Sequence, residues 1–274
     1  MADWLRLVRA HNLALAVAGV VAGGWIALAR VAVPRELLLA ALSGAALGAA
    51  GNALNDLHDV GADRINRPAG ERPLAAGRLG PGTAAATVVA GALLGLAAAG
   101  LVGGALVAAA AAAFAVMAVY SRVLKPHGWP GNVAVAAVAG LPLAYGALAV
   151  GRPAAGAVPW LVAGWLHLVR EVVKDVDDAP GDRAIGRRTL PVRIGGDGTL
   201  RVATGLAVLF LPVSAGAPLA AGYGWPYFAI AAPAWGAVIV AARRLHGGHT
   251  AGVARLLKGA MVIGLTALVA GRLA

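Results

Sequence analysis

Nine apolar stretches, each close to the length of a membrane span, follow one another along this 274-residue chain, at about 12–30, 36–57, 82–99, 102–121, 130–150, 156–177, 198–219, 224–243 and 252–271. A helix of roughly 20 such residues spans a hydrocarbon layer about 30 Å thick. Backbone amides in lipid must bond within the protein, which leaves helices or a closed barrel. A barrel requires short alternating strands, and the chain does not alternate. With 39 glycines, the helices can approach one another closely. The expected fold is an all-α integral membrane protein: nine transmembrane helices in a single bundle around a cavity, forming one domain over 1–274.

Against that background the acidic residues are not scattered. The chain has 12 Asp plus Glu, and nine of them lie in two neighbourhoods, Asp56 to Glu71 and Glu171 to Asp182. On a helix Asn52, Asp56, Asp59 and Asp63 recur at i, i+4, i+7 and i+11 with Asn55 beside them, so they line one face. Asp175, Asp178 and Asp182 repeat the last three steps. Carboxylates packed at this spacing repel one another unless they share a cation or face water. Rows of oxygen donors are what a hard cation such as Mg²⁺ requires, and Mg²⁺ is commonly completed by phosphate oxygens. A solvated helix end is the plainer alternative, but the loops of this chain use Arg for that purpose.

The basic residues set an orientation. Arg6, Arg9, Arg64, Arg67, Arg72, Arg78, Arg122, Lys125, Arg183, Arg187, Arg188, Arg193, Arg243, Arg244 and Arg255 fall on one side of the nine spans, and Arg30, Arg35, Arg152 and Arg272 on the other. The positive-inside rule makes the N-terminus cytoplasmic and the C-terminus external. Both acidic motifs then end spans 2 and 6 at the cytoplasmic face, beside guanidinium-rich loops. Carboxylate with guanidinium fits a polyanion that needs metal and arginine together. The first ten residues, with Trp4, Leu5, Leu7 and Val8 against Arg6 and Arg9, read as a surface helix, and no cleavable leader pattern precedes them.

Other classes fit less well. The formal charge of +11 lies in short loops between apolar spans with no stacking aromatics, which argues against nucleic acid. Without Cys there is no thiol nucleophile or thiolate site, and the histidines lack ligand spacing. His58 falls off the Asp59 face and reads as a helix-surface residue. A phosphoalcohol transferase would carry its aspartates in a single run. A cation transporter would break its helices near the midplane.

Asn55-Asp56-x2-Asp59-x3-Asp63, followed by Arg64 and Arg72-Pro73-Leu74, with Asp178-x3-Asp182 in the second half, resembles the UbiA-type intramembrane prenyltransferases over nearly the whole chain. That family has nine helices with aspartate motifs after helices 2 and 6. Arg170-Glu171-x3-Asp175-x2-Asp178-x2-Gly181-Asp182 and Gly186-x2-Thr189-Leu190-Pro191 are most similar to its branch that prenylates geranylgeranylglycerol phosphate. Members that take aromatic acceptors such as 4-hydroxybenzoate are close rivals. Pro68 to Arg72 is about two residues longer than the family's Pro-x-Arg-Pro.

The resemblance implies Mg²⁺ held by Asn55, Asp59, Asp63, Asp178 and Asp182, with Asp56 and Asp175 behind them, and a prenyl diphosphate bound by Arg64, Arg67, Arg72 and Lys125. Arg9, Asn12, Asn52 and Arg170 would serve the substrates near the rim. Arg170 lies two turns before Asp178, too deep for a surface anchor, with Glu171 expected to point away from it. Tyr120 and Tyr145 fit an aromatic face toward a carbocation as well as they fit packing. Asn132 reads as an interhelical hydrogen bond.

Overall fold

Proline starts four of the long helices and glycine separates most of the turns between them. The computed structural model describes residues 1–67 and 70–274, and every regular element among them is helical. A short α1 (Ala2–Leu7) precedes α2 (Ala10–Leu28), α3 (Arg35–Asn66), α4 (Pro81–Gly100) and α5 (Gly104–Val119). A π-type turn (Tyr120–Leu124) and a 3-10 turn (Lys125–His127) lead into α6 (Trp129–Ala149). Then follow α7 (Ala157–Ala184), α8 (Leu190–Ala220), α9 (Trp225–His246) and α10 (Val253–Leu273). Pro81, Pro130, Pro191 and Pro226 occupy the first two positions of α4, α6, α8 and α9, where the missing N–H costs no helical bond.

Eight of these helices are long and apolar enough to cross a membrane, so this is a multi-pass membrane protein. The sequence expectation was nine. The span expected at 156–177 drops out on composition, because α7 carries Arg170, Glu171 and Lys174 within its apolar part. Both acidic helices also outrun their expected ends. At the usual rise, the 32 residues of α3 measure about 48 Å, so the turns bearing Asp56, Asp59 and Asp63 extend past an apolar layer of about 30 Å. α7 runs seven residues beyond 177 and carries Pro180 inside it. The Pro68 end of the Pro68–Arg72 spacing lies outside the described residues.

Successive helices pack on one another from α2 to α10, and α10 returns to α2 and α7. Small residues make the closest crossings. A Cβ at Gly23 of α2 would collide with the Leu143 carbonyl of α6, and one at Gly146 of α6 with the Val20 carbonyl of α2. Gly91 and Gly95 of α4 lie equally close to α3, and Ser43 of α3 donates to the Gly95 carbonyl at 2.7 Å. Backbone approach of this kind supplies the dispersion contacts that hold helices together in lipid.

The ring of helices leaves a cavity of about 800 Å³. At one end its wall is polar and charged: Arg9 just before α2, Asn12 of α2, Asn55, Asp59 and Asp63 of α3, Lys174 and Asp178 of α7, Lys258 of α10. Further along the same helices the wall turns apolar, with Val20, Leu47, Leu166 and Leu268. These four helices thus bring their polar segments to the same end.

Candidate active site

Arg9 is the first residue placed by backbone geometry rather than by a helix. It joins α1 to α2 in the left-handed region (φ 53°, ψ 56°), which a non-glycine residue rarely adopts. The turn sends its guanidinium across to α3, 3.2 Å from Asn52 Oδ1 and 2.5 Å from Asp56 Oδ1. Asn52 donates in turn to the Val8 carbonyl at 2.9 Å, closing the end of α1. Leu7 and Leu74 bury themselves with Ala53 and Ala84 beneath this junction. The loop after α3 thereby brings Arg72 to 3.7 Å from Asp56 and 3.6 Å from Asp63.

The second row is aligned with the first by a side chain the sequence did not single out. Asn66 sits one step beyond Asp63 on the same helix face; its amide donates to the Asp178 carbonyl (2.9 Å) and accepts from the Gly181 N–H (2.8 Å). Pro180 ends normal helical bonding locally, and only glycine at 181 allows α7 to lie so near Ala62 and Asn66. At the end of α3, Arg67 donates to Asp178 Oδ1 at 2.7 Å.

Arg187 completes the alignment. It is buried, with Nη2 on Asp59 Oδ1 at 2.6 Å and Nη1 on Asp182 Oδ1 at 3.1 Å, so one guanidinium spans both acidic helices. Burial works against its charge, yet the two carboxylates outweigh it and hold the pKa above the ordinary arginine value. The Arg188 N–H bonds the Pro126 carbonyl at 2.8 Å, which ties this loop to the turn carrying Lys125. Lys125 pairs with the other oxygen of Asp59, and Asn55 donates to that same oxygen at 2.8 Å. Sequence reasoning counted Arg187 only as one more cytoplasmic-side charge. Its position three residues beyond the α7 end, facing buried Asp59, has no periodic signature.

Asp56 is 1 % exposed, and its Oδ2 has no hydrogen-bond partner among the described residues. Asp175 stands off the main cavity and accepts from Asn132 at 2.9 Å, the interhelical bond expected of Asn132. Tyr120 and Tyr145 both line the cavity, and the Tyr145 hydroxyl is 2.8 Å from that of Ser43. His58 is exposed on the outer face, as its helical angle implied. Two expectations are corrected. Arg64 is exposed, is not part of the cavity wall and turns toward the Ala75 carbonyl at 3.4 Å, because its place on α3 points it away from the acidic row. Glu171 does not point away from Arg170; it accepts from it at 2.9 Å and from Lys174 at 2.8 Å, since a desolvated carboxylate recruits whichever cations lie within reach.

The donor set suits a hard divalent cation: all oxygen, mostly anionic, with a buried carboxylate oxygen left over at Asp56. Among the described residues no three carboxylates converge on one point. Arg67, Lys125 and Arg187 lie against them instead, supplying the positive charge that such a cation would bring.

The sequence matches the UbiA prenyltransferase family over residues 16–263. It is 36% identical to a digeranylgeranylglyceryl phosphate synthase of Methanopyrus kandleri over 275 residues, covering 100% of both chains. A solved digeranylgeranylglyceryl phosphate synthase structure superposes with a TM-score of 0.78 at 26% identity, over 99% of this chain and 98% of that one. A UbiA homologue from Archaeoglobus fulgidus, bound to DMAPP and Mg²⁺, shares the fold at 20% identity and a TM-score of 0.72, over 97% of this chain and 99% of the other. With its helices closing one polar-ended cavity and its sequence matched along nearly its full length, this chain belongs to the UbiA prenyltransferase family and is a membrane-embedded prenyltransferase.

Proposed function

We propose that the protein is a single-domain enzyme that transfers a geranylgeranyl group from its diphosphate to geranylgeranylglycerol phosphate, with Mg²⁺ held by Asn55, Asp59, Asp63, Asp178 and Asp182. The observation that carries this reading is the bridge made by Arg187, which sets Asp59 of α3 and Asp182 of α7 on one guanidinium at the polar end of an apolar cavity. The 36% identity to a digeranylgeranylglyceryl phosphate synthase supports the glycerophosphate acceptor over an aromatic one. The Mg²⁺ and DMAPP bound by the Archaeoglobus homologue support the metal.

Bound Mg²⁺ supplies charge neutralisation for the departing diphosphate. Arg67, Arg72 and Lys125 orient the phosphate oxygens, as forks and a point charge respectively. The allylic C–O bond breaks with its electron pair leaving on pyrophosphate, and the acceptor hydroxyl oxygen forms the new C–O bond with loss of its proton. Tyr120, on the cavity wall with Lys125, would offer an aromatic face to the allylic cation. Val20, Leu47 and Leu166 keep water from the chain-bearing part of the cavity. Titration calorimetry in detergent tests the metal: chelation is expected to weaken geranylgeranyl diphosphate binding at least about tenfold. Equal binding with chelator present would leave the basic side chains as the whole diphosphate site and sink the metal assignment.

The acidic ends lie on the cytoplasmic side, with nine crossings in all, α7 included. Eight crossings would put both termini on one side of the membrane, nine on opposite sides. Because the chain lacks Cys, single cysteines placed at Ala2 and Ala274 report this directly. An impermeant thiol reagent added to intact cells is expected to label the C-terminal cysteine and spare the N-terminal one. Equal labelling of the two ends would remove α7 as a crossing helix.

A further inference from the structure

The chain has three lysines, Lys125, Lys174 and Lys258, and all three line the cavity, whereas most of its arginines do not. Two have carboxylate partners: Lys125 is on Asp59 and Lys174 is on Glu171. Lys258 is different. It enters from α10, and among the described residues its Nζ meets only the neutral Asn12 Oδ1, at 3.4 Å. Arg170 adds a second positive charge within electrostatic reach of it. Arg170 gives one nitrogen to Glu171 and keeps a buried Nε without a partner among the described residues.

Mutually repelling cations in a partly desolvated wall cost free energy, and a bound anion removes that cost. The diphosphate clamp is not that anion's place, because Asp59, Asp63 and Asp178 are approached there by Arg67, Arg72, Lys125 and Arg187. Lys258, Arg170 and Asn12 come from α10, α7 and α2, where α10 packs against both of the others. We infer that Lys258, with Arg170 Nε and the Asn12 amide, forms a second anion subsite that takes the phosphate monoester of the acceptor lipid. This rests on the acceptor reading given under Proposed function. Two separate basic clusters let one cavity hold two phosphorylated lipids with their apolar chains side by side, each headgroup against its own cations.

The test compares two acceptors, geranylgeranylglycerol phosphate and the same glycerol ether without phosphate, on the wild type, Lys258→Ala and Lys258→Arg. The wild type is expected to prefer the phosphorylated acceptor at least about tenfold in kcat/KM, the size of one charge-assisted hydrogen bond. Lys258→Ala is expected to erase most of that preference by raising the KM for the phosphorylated acceptor, with the KM for geranylgeranyl diphosphate within about twofold of wild type. Lys258→Arg is expected to restore the preference at least in part. A wild type indifferent to the phosphate would overturn the acceptor reading and the subsite with it. A wild type that discriminates, beside a Lys258→Ala variant that discriminates equally, would overturn the subsite alone. A rise in the diphosphate KM as large as that for the acceptor would move Lys258 into the diphosphate clamp and overturn the proposal.

Discussion

Asp59→Asn is expected to lower kcat by about 100- to 1,000-fold while leaving a folded, monodisperse protein. Both oxygens of its carboxylate are engaged, Arg187 on one, Lys125 and Asn55 on the other. It is 4 % exposed. A carboxamide keeps the shape and removes the charge, so the loss would report on lost stabilisation of the diphosphate and not on a cavity. Stability should fall by a few kcal/mol at most, about the 3–5 kcal/mol typical when one member of a buried pair is removed, less what the wet rim returns. Asp182→Asn, which disturbs the same guanidinium from α7, is expected to act in the same direction. Pyrophosphate release in lipid vesicles, with size-exclusion profiles alongside, measures both. Turnover within threefold of wild type for either variant would remove that residue from the metal set.

The largest effect on folding is expected at the α2–α6 crossing. Gly146→Leu puts a branched side chain where even one carbon would strike the Val20 carbonyl, and Gly23 leaves no slack on the facing surface because it is pressed against Leu143. Overpacking inside a core typically costs about 1–3 kcal/mol. Here the obstacle is backbone, which cannot rotate aside, so the helices must part. The variant is expected to accumulate poorly and to lose its cooperative melt in detergent, whereas Gly236→Ala, which faces open space on α9, should melt within about 2 °C of wild type or slightly higher. A Gly146→Leu protein with an unchanged midpoint would contradict the packing of α2 on α6.

Periodicity explains why some of this was legible in the sequence and some was not. The i, i+4, i+7 spacing of Asp56, Asp59 and Asp63 is a local property of one helix, and α3 bears it out as a continuous element. The long apolar runs fixed the class of fold for the same reason. Composition leaves the ninth span open at α7, where Arg170, Glu171 and Lys174 interrupt an otherwise apolar helix; a window average cannot tell a charged cavity wall from a helix end. Arg187 and Lys258 were missed because their meaning lies in partners 128 and 246 residues away. Asn66 was within reach, since it continues the aspartate spacing by one step. The supposed outward turn of Glu171 came from treating one helix in isolation; its neighbours on that helix, Arg170 and Lys174, are flexible enough to reach it from both sides.

The confinement of every lysine to the cavity wall has a use beyond catalysis. Apart from the N-terminal amine, every primary amine of the protein lies on the cavity wall, so a small acylating or reductive-alkylating reagent becomes a footprint of the site. Each lysine sits in a tryptic peptide of different mass, so protection at Lys125 and at Lys258 can be read separately as either phosphorylated ligand is added. The chain carries its own occupancy meter for two lipids, with no label engineered in.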